Sequence, residues 1–465
     1  MQNIMQNTKI VTFLNNSNKY IDTDISINGW VMSKRSQKDI TFVKLYDGST
    51  PEGIQLILNN SNFNNLDNIN TSTSLNVVGT FVVSMAKGQK FEVNVKKFTI
   101  YGNTNLDEYP LSKGKLPLDY LRNYHHLRLR TNSFGSIFRI KSSINYATND
   151  YYKSKLFHYI NPNIMTNNEC EGGAGTFKVT EFDFSDHANL PTLNNSTKHD
   201  FSKDHFNRIM QLTVSSQLEL EAIACSIGSV YTTNKSFRSE HSNTSKHLSE
   251  FEHLEIEDVF NDLESLMDIG EEYIKYVAKY LLTNNETDIM NLDKFVSKNL
   301  YDKIVKLLNT TFVRITYNDT VKLLNNNNIK INYGDDLSSE MENFITDYYK
   351  SPVFVTLWPK SLKSFYMKTN INDSSLCDNF DLLMPYKVGE LIGGSMREDN
   401  LDILLDNMKT KNISTTPLEF YIDLRRFGSI PHGGFGLGLD RMCMLFTGME
   451  NIKDVVAFPV YYKKF

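Results

Sequence analysis

Residues 237–257 read FRSEHSNTSKHLSEFEHLEIE. The preceding run, YTTNKSF over 231–237, is rich in strand formers, and after it Phe251, His253, Leu254 and Ile256 mix apolar and charged side chains. The pattern predicts two strands with a polar loop over 242–249 between them. That loop is too long and too polar for a tight hairpin turn, so it is expected to project from a sheet towards a ligand. Arg238 and Glu240 stand two apart, a spacing that puts both side chains on one face of a strand. A guanidinium fork beside a carboxylate acceptor can hold a phosphate and a nitrogenous base together. His247 and Phe251 follow at a spacing that brings a second cation and an aromatic platform to the same nucleotide. A salt-bridged surface hairpin has the same local signature, so the rest of the chain must discriminate.

At 465 residues the chain is long enough for two or three domains with well-buried cores. A net charge of −5 excludes a simple basic nucleic-acid binder but leaves room for a local basic face. Cys170, Cys225, Cys377 and Cys443 are scattered, with no CxxC pair, which argues against structural zinc and a disulfide framework. No apolar run reaches the roughly 18 residues of a membrane span, and MQNIMQNTKIVTF is neither a transit peptide nor a signal sequence. A soluble, cytoplasmic protein without a membrane partner is expected. Asparagine clusters at 59–70 and 325–328 read as coding bias in polar loops.

Residues 24–102 contain ISINGWVM, DITFVKLYDG, GIQLILN, LNVVGTFVVSM and FEVNVKKFTI, five alternating runs separated by Gly, Asp or Asn turns. Such runs predict a small closed barrel of the OB type. Phe42 can stack a base there and Gln55 and Glu92 can read base edges, while a core role for Phe42 remains equally open. Residues 106–131, with Pro110, Gly114 and Pro117, read as a hinge whose Arg122, His125, His126, Arg128 and Arg130 form a solvated basic face. From 136 to 159, Ile137, Ile140, Ile144, Ala147 and Tyr151 fall at helical spacing, and Asn161-Pro162 ends the helix. This element can pack against its own copy across a twofold axis or be buried within one chain. An amphipathic helix is expected over 257–282, with Val259, Leu263, Leu266 and Ile269 on one face. Ser339-x-x-Glu342 reads as a capping box. Near the end, Glu390, Ser395 and Arg397 are expected on a strand broken by Gly393 and Gly394, and Arg441 at a strand-to-helix junction.

FRSE…HLSEF, taken with EGGA, VSSQL, YGDDLSSE, SFYM, GELIGGSMR and PHGGFGLGLDR, resembles the class II aminoacyl-tRNA synthetases. Within the aspartyl/asparaginyl/lysyl subgroup the asparaginyl branch is the nearest. The resemblance spans residues 25–459. It implies an α+β chain with an N-terminal OB-fold β-barrel that binds the anticodon (1–105), a hinge (106–131), and a class II catalytic domain with a mostly antiparallel sheet flanked by helices (132–465). It further implies ATP and Mg²⁺ as cofactors, L-asparagine and tRNA(Asn) as substrates, and a homodimer with Pro162 at its interface.

By the same resemblance Arg238 and Arg441 are the catalytic groups. Arg238 meets the α-phosphate, Glu240 the adenine amino group, Phe251 stacks the base, His247 and Arg441 hold the β,γ end, and Glu390 and Ser395 organise Mg²⁺. Glu171, Ser215 and Gln217 contact the amino acid, Arg397 donates to its side-chain carbonyl and Glu255 accepts from its amide NH₂. Phe42, Gln55 and Glu92 become anticodon contacts. Aspartyl relatives carry SPQLxK, whereas VSSQLELE places Ser216 and Leu220 at those positions, so the cation expected for an acidic substrate is missing. Asp440 stands where glutamate is usual, and Val460 where a basic residue is common. An aspartyl-tRNA synthetase, discriminating or not, and a non-catalytic RNA-binding paralogue are the competing readings.

Overall fold

The computed structural model describes residues 8–86, 88–111, 116–168, 175–186, 189–194 and 197–464. The chain divides into two compact units, one of residues 1–141 with 285–301 and one of residues 142–284 with 302–465.

In the first unit β1 (Thr23–Ser36), β2 (Ile40–Tyr46), β3 (Ile54–Asn59), β4 (Ser74–Val83) and β5 (Phe91–Gly102) close a barrel in the order β1-β2-β3-β5-β4. Strict alternation produces it: Val43, Leu45, Leu56, Leu58, Val77 and Val93 point inward, and the residues between them face out. Helix α1 (Ile10–Asn15) adds Ile10 and Phe13 to the same core. Phe42 lies outside that core, half-buried on the outward face. Arg128 corrects the expected solvated basic face, because it is fully buried with its guanidinium 4.7 Å from the Phe134 ring centroid.

Helix α2 (Asn132–Ser154) runs from the first unit into the second. All five apolar residues that defined its period are buried. It ends at Ser154, not at Tyr159. Leu156 takes φ +64, and the N–H of Phe157 returns to the carbonyl of Tyr152 at 3.0 Å. A left-handed C-terminal residue is usually glycine or asparagine, and leucine gives no such signal.

The second unit is built on an eight-stranded sheet. Its strands in chain order are β6 (His158–Tyr159), β7 (Val230–Phe237), β8 (Glu250–Val259), β9 (Val313–Thr316), β10 (Val353–Thr356), β11 (Asn379–Met384), β12 (Gly389–Met396) and β13 (His432–Gly438). In space they run β9-β10-β11-β12-β13-β8-β7-β6, antiparallel except for the parallel pair at each edge. Helix α3 (Gln217–Ile227) precedes β7, and the long α4 (Leu263–Asn284) follows β8. Residues 257–259 therefore belong to a strand, and the expected helix starts at Leu263; β7 pairs with β8 as far as Glu257 and β13 carries it on to Val259.

Helix α5 (Glu286–Phe295) returns to the first unit. Helix α6 (Ser339–Tyr349) is capped by Ser338, whose side chain accepts from the N–H of Met341; with methionine at that position the expected capping box is replaced by a simple N-cap one residue earlier. Gly393 and Gly394 do not break β12, which pairs on both sides through them. They admit neighbours instead: a Cβ on Gly394 would stand 2.4 Å from the Phe380 ring. Helix α7 (Glu419–Arg426) precedes β13, and α8 (Leu439–Thr447) follows it directly, so Arg441 does sit at a strand-to-helix junction.

Candidate active site

Two adjoining cavities open on the second unit's sheet around the 237–257 stretch. The first, of about 170 Å³, is lined by Arg238, Glu240, His247, Phe251, Glu390 and Arg441 among others. Six side chains that the sequence pointed to are thus gathered around one cavity. Arg238 and Glu240 are not on the strand, however. β7 ends at Phe237; the Arg238 N–H still reaches Ser249 O at 3.0 Å, but the Ser239 N–H turns away to Gly175 O at 2.8 Å. The guanidinium of Arg238 lies 5.4 Å from the Phe251 ring centroid, within cation–π range.

Burial lowers the pKa of His247, and the nearby Arg441 charge lowers it further. Arg441 donates to the Glu390 carbonyl at 2.6 Å, which ties it to β12. The 241–249 loop is held by the C-terminal segment: Ser249 N–H donates to Val460 O at 2.8 Å, Ile452 N–H to Ser245 O at 2.8 Å, and His241 stacks on Tyr462 with centroids 4.7 Å apart. Val460 contributes through its backbone, so the absent basic side chain does not remove that contact. Asp440 accepts from the Glu252 N–H at 3.0 Å and ties α8 to β8.

The second cavity, of about 300 Å³, shares Arg238, His253, Glu390, Gly393 and Gly436 with the first. Its remaining wall includes Ser215, Gln217, Glu255, Glu257, Lys363, Asp381 and Arg397. Gln217 is the first residue of α3. Glu255 is buried and already engaged at the N-terminus of α3, where Ser215 Oγ donates to it and Ser216 N–H does so at 2.9 Å. Burial raises its pKa while those donors pull it down. Arg397 lies one residue beyond β12 and forks onto Glu257, with Nε 3.1 Å from Oε2. Glu171 lies outside the described residues.

Ser395 corrects the expected metal pair. It is fully buried, is absent from both cavity walls, and accepts from Arg397 at 2.7 Å. The register of β12 shifts between Glu390 and Ile392, so simple alternation does not relate the two residues; what takes Ser395 away from Glu390 is its bond to the buried Arg397. Among the described residues no group of three His, Cys, Asp or Glu side chains could hold a metal alone. Glu390 nevertheless suits Mg²⁺, an ion bound through one or two carboxylates together with substrate phosphates. Two neighbouring acids register its charge: burial and then Glu390 raise Glu342 to about 7. Burial raises Asp381 to about 6, with Lys363 opposing and Glu390 reinforcing.

Several groups at the site were missed. Behind Arg397, fully buried Glu221 accepts from Tyr421 Oη at 2.7 Å, Gln217 Nε2 at 2.9 Å and Arg425 at 3.0 Å, with His432 Nε2 also at 3.0 Å. Burial opposes ionisation of Glu221, but the His432 bond and the Arg425 charge outweigh it and hold the carboxyl well below its ordinary range. One signal was available: His253, Glu255 and Glu257 share a face of β8, and Gln217 and Glu221 share a face of α3. Leu220 packs with Ala224 and Val230, away from the cavity.

On the barrel, Gln55 and Glu92 are register partners across β3 and β5, and Phe42 lies on neighbouring β2. Glu92 accepts from Ser84 and Gln89 at 2.7 and 2.8 Å. Pro162 is half-buried, and exposed Tyr159, Ile164 and Met165 flank it.

A cavity lined by Arg238, His247, Phe251 and Arg441 on a mostly antiparallel sheet, joined to a polar pocket and accompanied in the chain by an OB barrel, is the arrangement of a class II aminoacyl-tRNA synthetase. The model for class II tRNA synthetases (D, K and N) matches residues 118–461, and that for the OB-fold nucleic acid binding domain matches residues 25–101. The chain belongs to this family, and within it to the asparagine–tRNA ligases. It is 39% identical over 448 residues to the asparagine–tRNA ligase of Clostridium tetani, covering 95% of each chain, and 38% identical over 462 residues to that of Cytophaga hutchinsonii, covering 98% of each. It is also similar to the crystal structure of asparaginyl-tRNA synthetase from Pyrococcus horikoshii complexed with asparaginyl-adenylate, with a TM-score of 0.84, 27% identity, and 96% and 97% of the two chains covered.

Proposed function

We propose that the chain ligates L-asparagine to tRNA(Asn) at the expense of ATP, through an asparaginyl-adenylate, releasing pyrophosphate and AMP. The observation that carries this reading is that Arg238 and Glu390 stand on the wall common to both cavities. One cavity has the aromatic and cationic lining of a nucleotide site, the other the polar lining of an amino-acid site, so the two reactants meet where these groups stand.

The amino-acid carboxylate is ionised at neutral pH and attacks the α-phosphorus directly, so no side-chain base is needed. Catalysis is positioning and charge stabilisation. Arg238 neutralises charge at the α-phosphate as the bond to pyrophosphate breaks. Phe251 stacks the adenine and Glu240 accepts from its amino group, while His247 and Arg441 bind the β,γ end. Glu390, with the phosphates, would hold Mg²⁺, which supplies further neutralisation of phosphate charge when bound. In the second cavity Ser215 and Gln217 contact the amino acid; Glu171 is assigned its ammonium by the family resemblance alone. Arg397 donates to the amide carbonyl, and the Glu255 carboxylate accepts from the amide NH₂. The ribose hydroxyl of the tRNA end then attacks the adenylate. Phe42, Gln55 and Glu92 bind the anticodon from a barrel domain of residues 1–105, followed by a hinge over 106–131 and the catalytic domain over 132–465. The enzyme works in the cytoplasm as a homodimer with Pro162 at its interface.

ATP–pyrophosphate exchange measured with asparagine and with aspartate tests the assignment. Exchange driven by asparagine is the expected result. Preference for aspartate, or no exchange with either, refutes it.

A further inference from the structure

We propose that helix α5 forms a second wall of the RNA-binding groove in the barrel unit, and that Lys294 and Phe295 bind a nucleotide next to those the barrel contacts. The proposal rests on the barrel reading given above and extends it to a segment outside the barrel sequence.

Helix α5 lies in the chain between elements of the second unit yet belongs to the compact unit of the barrel. It is firmly held there. Arg139 forks onto Asp288 at 2.9 and 2.8 Å while donating to the Gly48 carbonyl at 2.9 Å, and Asn291 donates to Ser136 Oγ at 3.0 Å. With the helix fixed, two large apolar side chains are still left bare: Met290 is 50% exposed and Phe295 is 49% exposed.

Between α5 and the barrel runs a groove of about 1050 Å³, with Lys44, Gln55 and Lys90 on the barrel side and Met290, Lys294 and Phe295 on the helix side. Lys44 and Gln55 are cross-strand partners, and Gln55 pairs in turn with Glu92, so the groove continues the face expected to meet the anticodon.

The chemistry selects a single-stranded nucleic acid. Bases stack on any exposed π-face and phosphates seek cations along the same track, and here the Lys294 ammonium lies 5.1 Å from the Phe295 ring centroid. Two carboxylates also line the groove, Glu52 and Asp293. Asp293 is taken up by the Tyr301 N–H at 3.0 Å, and the Glu52 charge supports Lys44, whose pKa burial lowers. Lys44, Lys90 and Lys294 against these two carboxylates leave the lining one positive charge in excess, and among the described residues neither Lys90 nor Lys294 is ion-paired to a carboxylate.

The test uses the full chain carrying Lys294→Glu or Phe295→Ala, with Phe42→Ala in parallel. Aminoacylation gives KM for tRNA(Asn), and exchange, which uses no tRNA, reports an intact adenylation site. The expected result is a rise of about tenfold in KM for tRNA in each α5 variant. For Lys294→Glu the dependence of log affinity on log salt should also become shallower by about one unit. If Phe42→Ala raises KM and the α5 variants do not, the inference is overturned and the barrel reading stands. If none of the three changes KM, both fall.

Discussion

Replacing Glu342 by glutamine should flatten the pH dependence of stability between about pH 4.5 and 7. Glu342 sits on α6 with its side chain 14% exposed and 4.0 Å from Lys246 Nζ. Burial and the neighbouring Glu390 raise its pKa from 4.5 to about 7, with Lys246 pulling the other way. The sign follows from proton counting. In the unfolded chain the carboxyl loses its proton near pH 4.5, whereas in the folded chain it keeps it to about 7. Over that window the unfolded state binds fewer protons, so stability falls as pH rises and levels off above the folded value. A shift of this size corresponds to roughly 3 kcal/mol, using about 1.4 kcal/mol per pH unit. Glutamine keeps the shape and removes the titration. Urea unfolding of both proteins at several pH values from 4.5 to 8 measures the difference, because groups distant from Glu342 titrate alike in the two proteins. Stability of the native protein should fall by roughly 3 kcal/mol more than that of the variant across the range. Parallel curves would show that Glu342 titrates normally and that the charge crowding around Glu390 is absent.

Arg238→Ala should lower the exchange rate with asparagine by about 10²–10³-fold, the usual cost of one charge-stabilising donor, while thermal melting shifts little; near-normal exchange would remove Arg238 from the reaction. Glu221→Gln should cost about 3–5 kcal/mol of stability, because it leaves the buried Arg425 without its counter-ion. It should also raise KM for asparagine, since Gln217 loses its anchor; unfolding and exchange kinetics check both, and an unchanged denaturation midpoint would refute the first part. Glu255→Gln should narrow the preference for asparagine over aspartate by about tenfold or more, because a like charge facing the aspartate carboxylate is removed. Exchange with each amino acid reads this directly, and an unchanged ratio would assign Glu255 to holding α3 alone.

The parts of the site legible in the sequence were those set by local pattern. Period-two runs gave the barrel strands, the polar interruption at 242–249 gave the loop beside the cavity, and the glycines before Arg441 gave the strand-to-helix junction. What escaped was set by partners distant in the chain. The end of β7 depends on the Gly175 carbonyl capturing the Ser239 N–H, and nothing near Arg238 signals it. The stop of α2 rests on a leucine in the left-handed region, which composition does not announce. Ser395 was assigned to the metal by resemblance alone, and its burial against Arg397 is not announced by the residues around it. The hub around Glu221 joins α3, α7 and β13. Glu221 lies far from Arg425 and His432 in the chain, and no local pattern announces that they meet.

That hub bears on selectivity through charge balance. The amino-acid cavity is lined by Glu255, Glu257, Asp381 and Glu390 against Arg238, Lys363 and Arg397, one negative charge in excess if all are ionised. Burial raises the Glu257 pKa while Arg397 opposes it, and with Glu257 protonated the wall is neutral. In neither state does it hold a spare cation. Asparagine brings an ammonium, a carboxylate and a neutral amide, and adds no net charge. Aspartate adds one more carboxylate, and a like charge at about 4 Å costs on the order of 4 kcal/mol at an effective dielectric of about 20. A Mg²⁺ ion at the nucleotide end would act on both amino acids alike. The position at which a lysine would supply the missing charge is Leu220, which is fully buried against Ala224 and Val230. Exclusion of aspartate is thus expected to depend on α3 turning an apolar side chain away from the cavity while Gln217 anchors on Glu221, which stands 3.7 Å from Arg397.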